Sequence, residues 1–348
     1  MICSVSYLCI TMANTPIALS RTIISLWIGI QAYRPQVTSF SSLRDNYVMA
    51  YENNTWADNQ MKKAQNKCRE YTRYACLYKT PNAKNVHMDR ILNGEYVSEG
   101  MLPHMAFLLF ILGRNRGRTC SGTLISEKFV MTAAHCTFGT VCAGRQVKIK
   151  LGSLDTTNDR TGRWYGVDHI YDHPYFKDAD ADRIRSAKAW PHDIALIELS
   201  ETVHFNRNIR PICLNTNYEI SEYNSAIAAG WGHTEHGQTN FLKMVELQLK
   251  ESHCDLAYQE HIVYSDIAKS YTICAAEDQK NICMGDSGGP LHVLMNDTCP
   301  NMYEQIGVAA NSVGECSLNC TYSLAIFTKV SLYVPWIASI VWPEEGGT

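Results

Sequence analysis

The chain has 348 residues, 46% of them hydrophobic, enough for one large packed domain with appendages or for two domains. A formal net charge of −3 excludes the strongly basic field of a nucleic-acid binder or of a polybasic membrane-surface protein. Fourteen cysteines are many for a reducing cytosol and point to an oxidising, extracellular setting.

Near the start, Arg21 precedes the apolar run Ile23 to Ile30, and the small residue Ala32 follows. That layout predicts a secretory signal over residues 1–32, beginning at Met1 or Met12. The run is shorter than the roughly 20 residues that cross a bilayer. Residues 33–90 are polar and poor in apolar periodicity, and Asn53-Asn54-Thr55 is a glycosylation acceptor. From Ile91 onward, short apolar runs alternate with turn residues: Phe107 to Leu112, Val147 to Leu151, Ile194 to Leu199, Ile227 to Ala229 and Ile326 to Val330. Regularly spaced short strands predict an all-β barrel or sandwich. Tyr333, Trp336, Ile337 and Ile340 recur at helical spacing and predict a C-terminal helix, with Pro335 tolerated near its start.

The motif richest in chemistry is Gly285-Asp286-Ser287-Gly288-Gly289-Pro290. A serine is a poor nucleophile until a base removes its proton. The chain supplies a histidine in Thr132-Ala133-Ala134-His135-Cys136 and a carboxylate in His192-Asp193-Ile194-Ala195-Leu196. The order histidine, aspartate, serine is that of the chymotrypsin-type triad. Four more segments stand in the matching order: Arg90-Ile91-Leu92-Asn93-Gly94, Cys120-Ser121-Gly122-Thr123-Leu124-Ile125, Arg210-Pro211-Ile212-Cys213-Leu214 and Ala229-Gly230-Trp231-Gly232. On these motifs the region from Ile91 to about Trp342 resembles a trypsin/chymotrypsin-like serine protease domain. More narrowly it resembles the secreted arthropod proteases of immune and developmental cascades, the snake-like group in particular.

The resemblance implies an all-β fold of two six-stranded antiparallel β-barrels with a C-terminal helix. It makes 33–90 a pro-segment and 91–348 the protease domain. Such relatives often carry a compact six-cysteine CLIP module in the pro-segment; only Cys68 and Cys76 stand here, so a complete module is not expected. Ser287 would attack the scissile carbonyl, His135 would act as general base and acid, and Asp193 would orient the imidazole. The N–H groups of Gly285 and Ser287 would form the oxyanion hole. Cleavage after Arg90 would free the Ile91 amine to pair with the Asp286 carboxylate. Cys120–Cys136, Cys254–Cys274 and Cys283–Cys316 follow the family's disulfides. Cys213 would tether the pro-segment through Cys68, with Cys76 as runner-up. Cys76, Cys142, Cys299 and Cys320 are left without assigned partners. Asn296 and Asn319 open further glycosylation acceptors.

No metal and no cofactor is expected: the cysteine spacings match no zinc pattern, and Ser153 stands near where calcium-binding relatives have an acid. The expected partners are a protein substrate, an upstream trypsin-like activating protease and a serpin-type inhibitor, with neither nucleic acid nor membrane. The specificity pocket departs from the tryptic pattern. Asn281 replaces the aspartate six residues before the nucleophile, and Ile282 follows it. By the same resemblance, Ala310 and Ser312 would stand in one wall, and Ala325 in the other. Two readings compete: a secreted endopeptidase with non-tryptic specificity, and a weakly active or inactive protease-fold protein that binds partners.

Overall fold

The computed structural model describes residues 55–78, 95–112, 116–138, 146–176, 192–234, 237–250, 254, 271–277, 280–295, 299, 301–313 and 324–344. After the helix α1 (Thr55–Leu77) and a short strand β1 (Glu95–Tyr96), two sheets follow in sequence. The first uses β2 (Met105–Leu112), β3 (Arg116–Leu124), β4 (Phe129–Thr132), β5 (Gln146–Leu151), β6 (Arg163–Tyr165), β7 (Val167–Asp172) and β8 (Ala195–Leu199). A one-turn helix, α2 (Ala134–Thr137), sits between β4 and β5.

The strand order is β6-β5-β2-β3-β4-β8-β7. Only Gly166 separates β6 from β7, one of which pairs with β5 and the other with β8. Counted as one bent strand, 163–172 closes a six-stranded barrel. A side chain at Gly166 would meet Ser200 Oγ at 2.8 Å, so the bend is tight. In β5, Val147 and Ile149 are buried while Gln146 and Lys148 are exposed, the period-two alternation of a strand with one face on a core.

The second sheet uses β9 (Cys213–Leu214), β10 (Ser225–Gly230), β13 (Lys243–Leu249), β14 (Thr272–Ala276), β15 (Pro290–Leu294), β16 (Tyr303–Val313) and β17 (Leu324–Lys329). Two short strands, β11 (His233–Thr234) and β12 (Gly237–Gln238), form a separate ribbon. The path β13-β10-β15-β16-β17-β14 returns to β13 through Gln248↔Ala276 and Leu249↔Ala275, closing a second antiparallel six-stranded barrel. The expected double barrel is thus present, with β1 and β9 added at its margins. Trp231, 1% exposed, ties the two halves together: it packs edge-on against Phe107 of β2, and its Nε1 donates to Leu154 O at 3.1 Å. The chain closes in α3 (Val334–Val341), with its proline in the first turn where no N–H bond is lost.

Helix α1 is the element that the polar composition of 33–90 did not announce. Its core-facing residues are Ala57, Gln60, Ala64, Tyr71 and Ala75, with partly buried Cys68 filling the gap. The spacing is helical, but alanine, glutamine and cysteine occupy most of the seam, so apolar contrast is weak. Packing against α3 and β9 and two disulfides hold α1 in place. Cys68–Cys213 and Cys76–Cys299 both cross from this helix to the protease domain. Lys63 Nζ donates to Trp342 O at 2.9 Å, Trp342 Nε1 to Tyr71 Oη at 3.3 Å, and Tyr71 Oη to Glu127 Oε2 at 3.1 Å.

Candidate active site

His135 lies on α2, directly after β4. Its backbone N–H donates to Asp193 Oδ1 at 2.8 Å, and its Nδ1 lies 2.7 Å from Asp193 Oδ2. Both oxygens of one carboxylate therefore grip one residue, fixing the ring and leaving Nδ1 as its proton-bearing nitrogen. Asp193 is fully buried, where an ionised carboxylate requires hydrogen-bond partners. Its main chain is anchored by Thr328 Oγ1, which donates to Asp193 O at 3.0 Å. The residue before it, His192, adopts φ 61°, and Tyr333 Oη lies 3.1 Å from its Nδ1. Arg118 Nη2 donates to His135 O at 3.0 Å. The Cys120–Cys136 disulfide joins this turn to β3. The supports from Thr328, Tyr333 and Arg118 were not read from the sequence, since each comes from a distant strand or helix.

Ser287 arrives from the second barrel. Ser121 N donates to Ser287 O at 2.8 Å, and Cys136 Sγ lies 3.7 Å from the same oxygen. The serine is thereby held beside the His135 turn, at the seam between the barrels. The loop that carries it is held by main-chain bonds on either side of the serine. Asp286 N donates to Cys283 O at 3.0 Å, Gly288 N to Ala309 O at 2.7 Å and Gly289 N to Asp286 O at 2.8 Å. Gly285 has φ 101°, and a Cβ there would come within 2.9 Å of Gly232 Cα. That position requires glycine on both counts. Ser121 Oγ donates to Gly285 O at 3.0 Å, a second link from β3 into the nucleophile loop.

The Asp286 side chain turns inward. Gly232 N–H donates to its Oδ1 at 2.8 Å and Cys283 N–H to its Oδ2 at 2.9 Å. A side chain at Gly232 would run into this carboxylate, which explains the glycine there. Although the residue is partly accessible, its carboxyl group is enclosed, and that burial pushes it up to about 6 against the pull of the two N–H donors. Arg90 and Ile91 lie outside the described residues, as do Cys316, Cys142, Cys320, Asn53, Asn296 and Asn319.

The residues expected in the specificity pocket gather in the second barrel. Asn281 Oδ1 accepts from Ile282 N at 2.8 Å, while its Nδ2 is buried without a partner among the described residues. Ile282 and Ala325 are 5% and 1% exposed and share one apolar cluster with Ala309, Leu291 and Phe327. Ala310 sits where β16 bulges against β17, and Ser312 pairs with Ala325 across the same two strands. Met284, 69% exposed, directly precedes Gly285.

Of the disulfides, Cys254–Cys274 and Cys68–Cys213 join the residues expected of them, and Cys283 is itself disulfide-bonded. Cys76, left open in the sequence, bonds Cys299. Ser153 Oγ bonds Asp155 O at 2.6 Å and Thr161 Oγ1 at 2.8 Å. The loop around it is organised by Lys150, 2% exposed, whose Nζ donates to the carbonyls of Asp155, Thr156 and Asn158 at 3.4, 3.3 and 2.9 Å.

Comparison with known proteins agrees with this geometry. Residues 91–337 match the protein-family model described as Trypsin. The chain is 31% identical over 267 residues to the serine protease Hayan of Drosophila melanogaster, covering 73% of this chain but only 39% of that relative. It is 30% identical over 279 residues to phenoloxidase-activating factor 1 of Holotrichia diomphalia, covering 74% of this chain and 72% of the relative. It is also 31% identical over 257 residues to chymotrypsin-like elastase family member 1 of Homo sapiens, covering 72% and 92%. A match across most of the chain, on a closed double barrel that brings His135 onto Asp193, assigns this chain to the trypsin family, and it is a serine-type endopeptidase.

Proposed function

We propose that this protein is a secreted zymogen of an extracellular proteolytic cascade, activated by cleavage after Arg90. The observation that carries the catalytic reading is the pair of hydrogen bonds from His135 to Asp193 beside Ser287. With Nδ1–H committed to the carboxylate, His135 Nε2 is left with the lone pair that accepts the nucleophile's proton. Ser287 attacks the scissile carbonyl and passes its proton to His135. His135 returns that proton to the departing amine as the acyl-enzyme forms, and water then releases the acid by the same route. The N–H groups of Gly285 and Ser287 stabilise the oxyanion.

Asp286 is the switch. Its enclosed carboxylate is held by two neutral N–H groups and is raised toward neutrality, so it favours a cation. The Ile91 ammonium freed by cleavage is that cation, and its arrival fixes the Gly285 loop. Residues 1–32 act as the secretory signal. Residues 33–90 form the pro-segment, whose helix α1 stays attached after cleavage through Cys68–Cys213 and Cys76–Cys299. The substrate is a protein, cut after an uncharged residue of small or medium size, because Asn281, Ile282 and Ala325 supply no carboxylate. The likeness to insect serine proteases, one of them named for activating phenoloxidase, supports a cascade setting, in which a serpin-type inhibitor completes the proposal.

The test is a fluorophosphonate probe on protein cut after Arg90. Labelling at Ser287 is expected in the cut form, weakly in the uncut form and not at all in Ser287→Ala. Intact, correctly cut protein that never labels would overturn the enzymatic mechanism and leave a protease-fold binding protein.

A further inference from the structure

A second carboxyl group lies against the His135 turn, and the chemistry above does not use it. Asp172 ends β7, paired with Ala195, two residues beyond Asp193. Its Oδ1 meets the hydroxyl of Thr137, the last residue of α2 and 1% exposed. Thr137 Oγ1 also lies 3.0 Å from Ala134 O. That same carbonyl accepts from Phe138 N at 2.8 Å. These bonds close the single turn that presents His135.

A hydroxyl has one proton to give. Thr137 Oγ1 faces two oxygens, the Ala134 carbonyl and the Asp172 carboxyl. Were Asp172 ionised, both would be acceptors, and one contact would lack a hydrogen. With a proton on Asp172 the chain closes: its O–H donates to Thr137 Oγ1, which donates to Ala134 O. Burial raises Asp172 above the usual carboxyl range and the nearby Asp193 carboxylate adds to the rise, while the Thr137 hydroxyl pulls the other way; the net direction is upward, as this arrangement requires. Among the described residues, the groups that bear on Asp172 are Thr137 from α2 and Asp193 from the segment entering β8.

We propose that Asp172, as a neutral acid, is a positioning residue for His135, holding through Thr137 the one-turn helix that keeps the imidazole on Asp193. It touches neither substrate nor the reacting atoms. The inference rests on the reading of His135 as the general base.

The test compares wild type with Asp172→Ala, Asp172→Asn and Thr137→Val, each cut after Arg90. One readout is kinact and KI for a fluorophosphonate. The other is the low-field proton resonance of His135 Nδ1–H, deshielded by its carboxylate acceptor and present whether or not the protein hydrolyses anything. Asp172→Ala and Thr137→Val should lower kinact about 3- to 10-fold with KI unchanged, and broaden the resonance, since small misplacement of a catalytic base slows chemistry without weakening binding. The double variant Thr137→Val/Asp172→Ala should be little worse than either alone, as expected for two parts of one chain of bonds. Asp172→Asn, neutral and able to donate, should recover most of the loss. Wild-type kinact and an unchanged resonance in Asp172→Ala would overturn the proposal. Impairment in Asp172→Asn equal to that in Asp172→Ala would overturn the neutral-acid assignment. Should Asp172→Ala fail to fold, Thr137→Val, which removes only a hydroxyl, decides. Wild-type protein that shows the resonance but never labels would sink the catalytic reading, and the resonance of the variants would still judge the role of Asp172.

Discussion

The enclosed carboxyl of Asp286 makes a quantitative prediction about the uncut protein. In the unfolded chain this group titrates near 3.8, and in the folded protein burial pushes it up to about 6. Below both values the group is protonated in either state and has no effect on stability. As pH rises through the window from about 4 to 6 the unfolded chain ionises first, so folding loses stability. Above about 6 the loss is complete, at about 3 kcal/mol. Three buried imidazoles, His104, His173 and His292, and the half-buried His192 are pushed down by burial and act in the opposite sense, favouring the folded state as pH rises. The observable is therefore the difference between uncut wild type and Asp286→Asn, which cancels the histidines. Urea denaturation at pH 4, 5, 6, 7 and 8 measures it. The stability of wild type relative to the variant should fall by about 2 to 2.5 kcal/mol between pH 4 and 8, most of it below pH 6, and then level off. In protein cut after Arg90 the fall should shrink or reverse, because the Ile91 ammonium then pairs with the ionised carboxylate. A difference that stays flat from pH 4 to 8 in the uncut form would refute the reasoning, as would identical profiles before and after cleavage.

Ser287→Ala and His135→Ala should each reduce turnover by several orders of magnitude with far-ultraviolet dichroism unchanged, and the double variant should be no slower, since triad members act as a unit; near-normal peptide hydrolysis by pure Ser287→Ala would exclude the mechanism. Protein cut after Arg90 should run as one band on a non-reducing gel and two on a reducing gel. Because Cys68–Cys213 and Cys76–Cys299 both tether α1, Cys213→Ser alone should still run as one band, and only Cys213→Ser/Cys299→Ser should release the pro-segment in denaturant; release by the single variant would show that the second bond does not form. The zymogen should not activate itself, because burying a substrate guanidinium against Asn281 and Ile282 without a counter-charge costs several kcal/mol. N-terminal sequencing that finds Ile91 appearing with protein concentration in wild type, but not in Ser287→Ala, would show the pocket argument to be wrong.

The composition and motif order of this chain were sufficient for its fold class. The short apolar runs from Phe107 onward became strands of two closed barrels because period-two patterning needs only local chemistry to be read. The nucleophile loop was legible for the same reason: Gly285 must be glycine for backbone reasons that hold wherever such a turn occurs. Helix α1 was not legible, because its seam of Ala57, Gln60, Ala64, Cys68, Tyr71 and Ala75 carries little apolar contrast. Its helix is stabilised by what it docks on, α3 and Glu127, and by two disulfides whose partners lie 145 and 223 residues away in sequence. The second tether illustrates the limit: sequence supplies Cys76 and Cys299, but pairing depends on which Cβ atoms the fold brings within bonding reach. The same holds for the groups that steady the active site. Thr328, Tyr333, Arg118 and Asp172 are unremarkable in the linear chain and become supports of His135 and its neighbours only where β17, α3, β3 and β7 converge. What the sequence by itself determined is the chemistry available, a serine, an imidazole and a carboxylate in a known order. What only the tertiary structure decided is the environment of each, because burial and hydrogen bonding come from residues far apart in the chain, and it is these that place both oxygens of Asp193 on His135 and raise Asp286 toward neutrality.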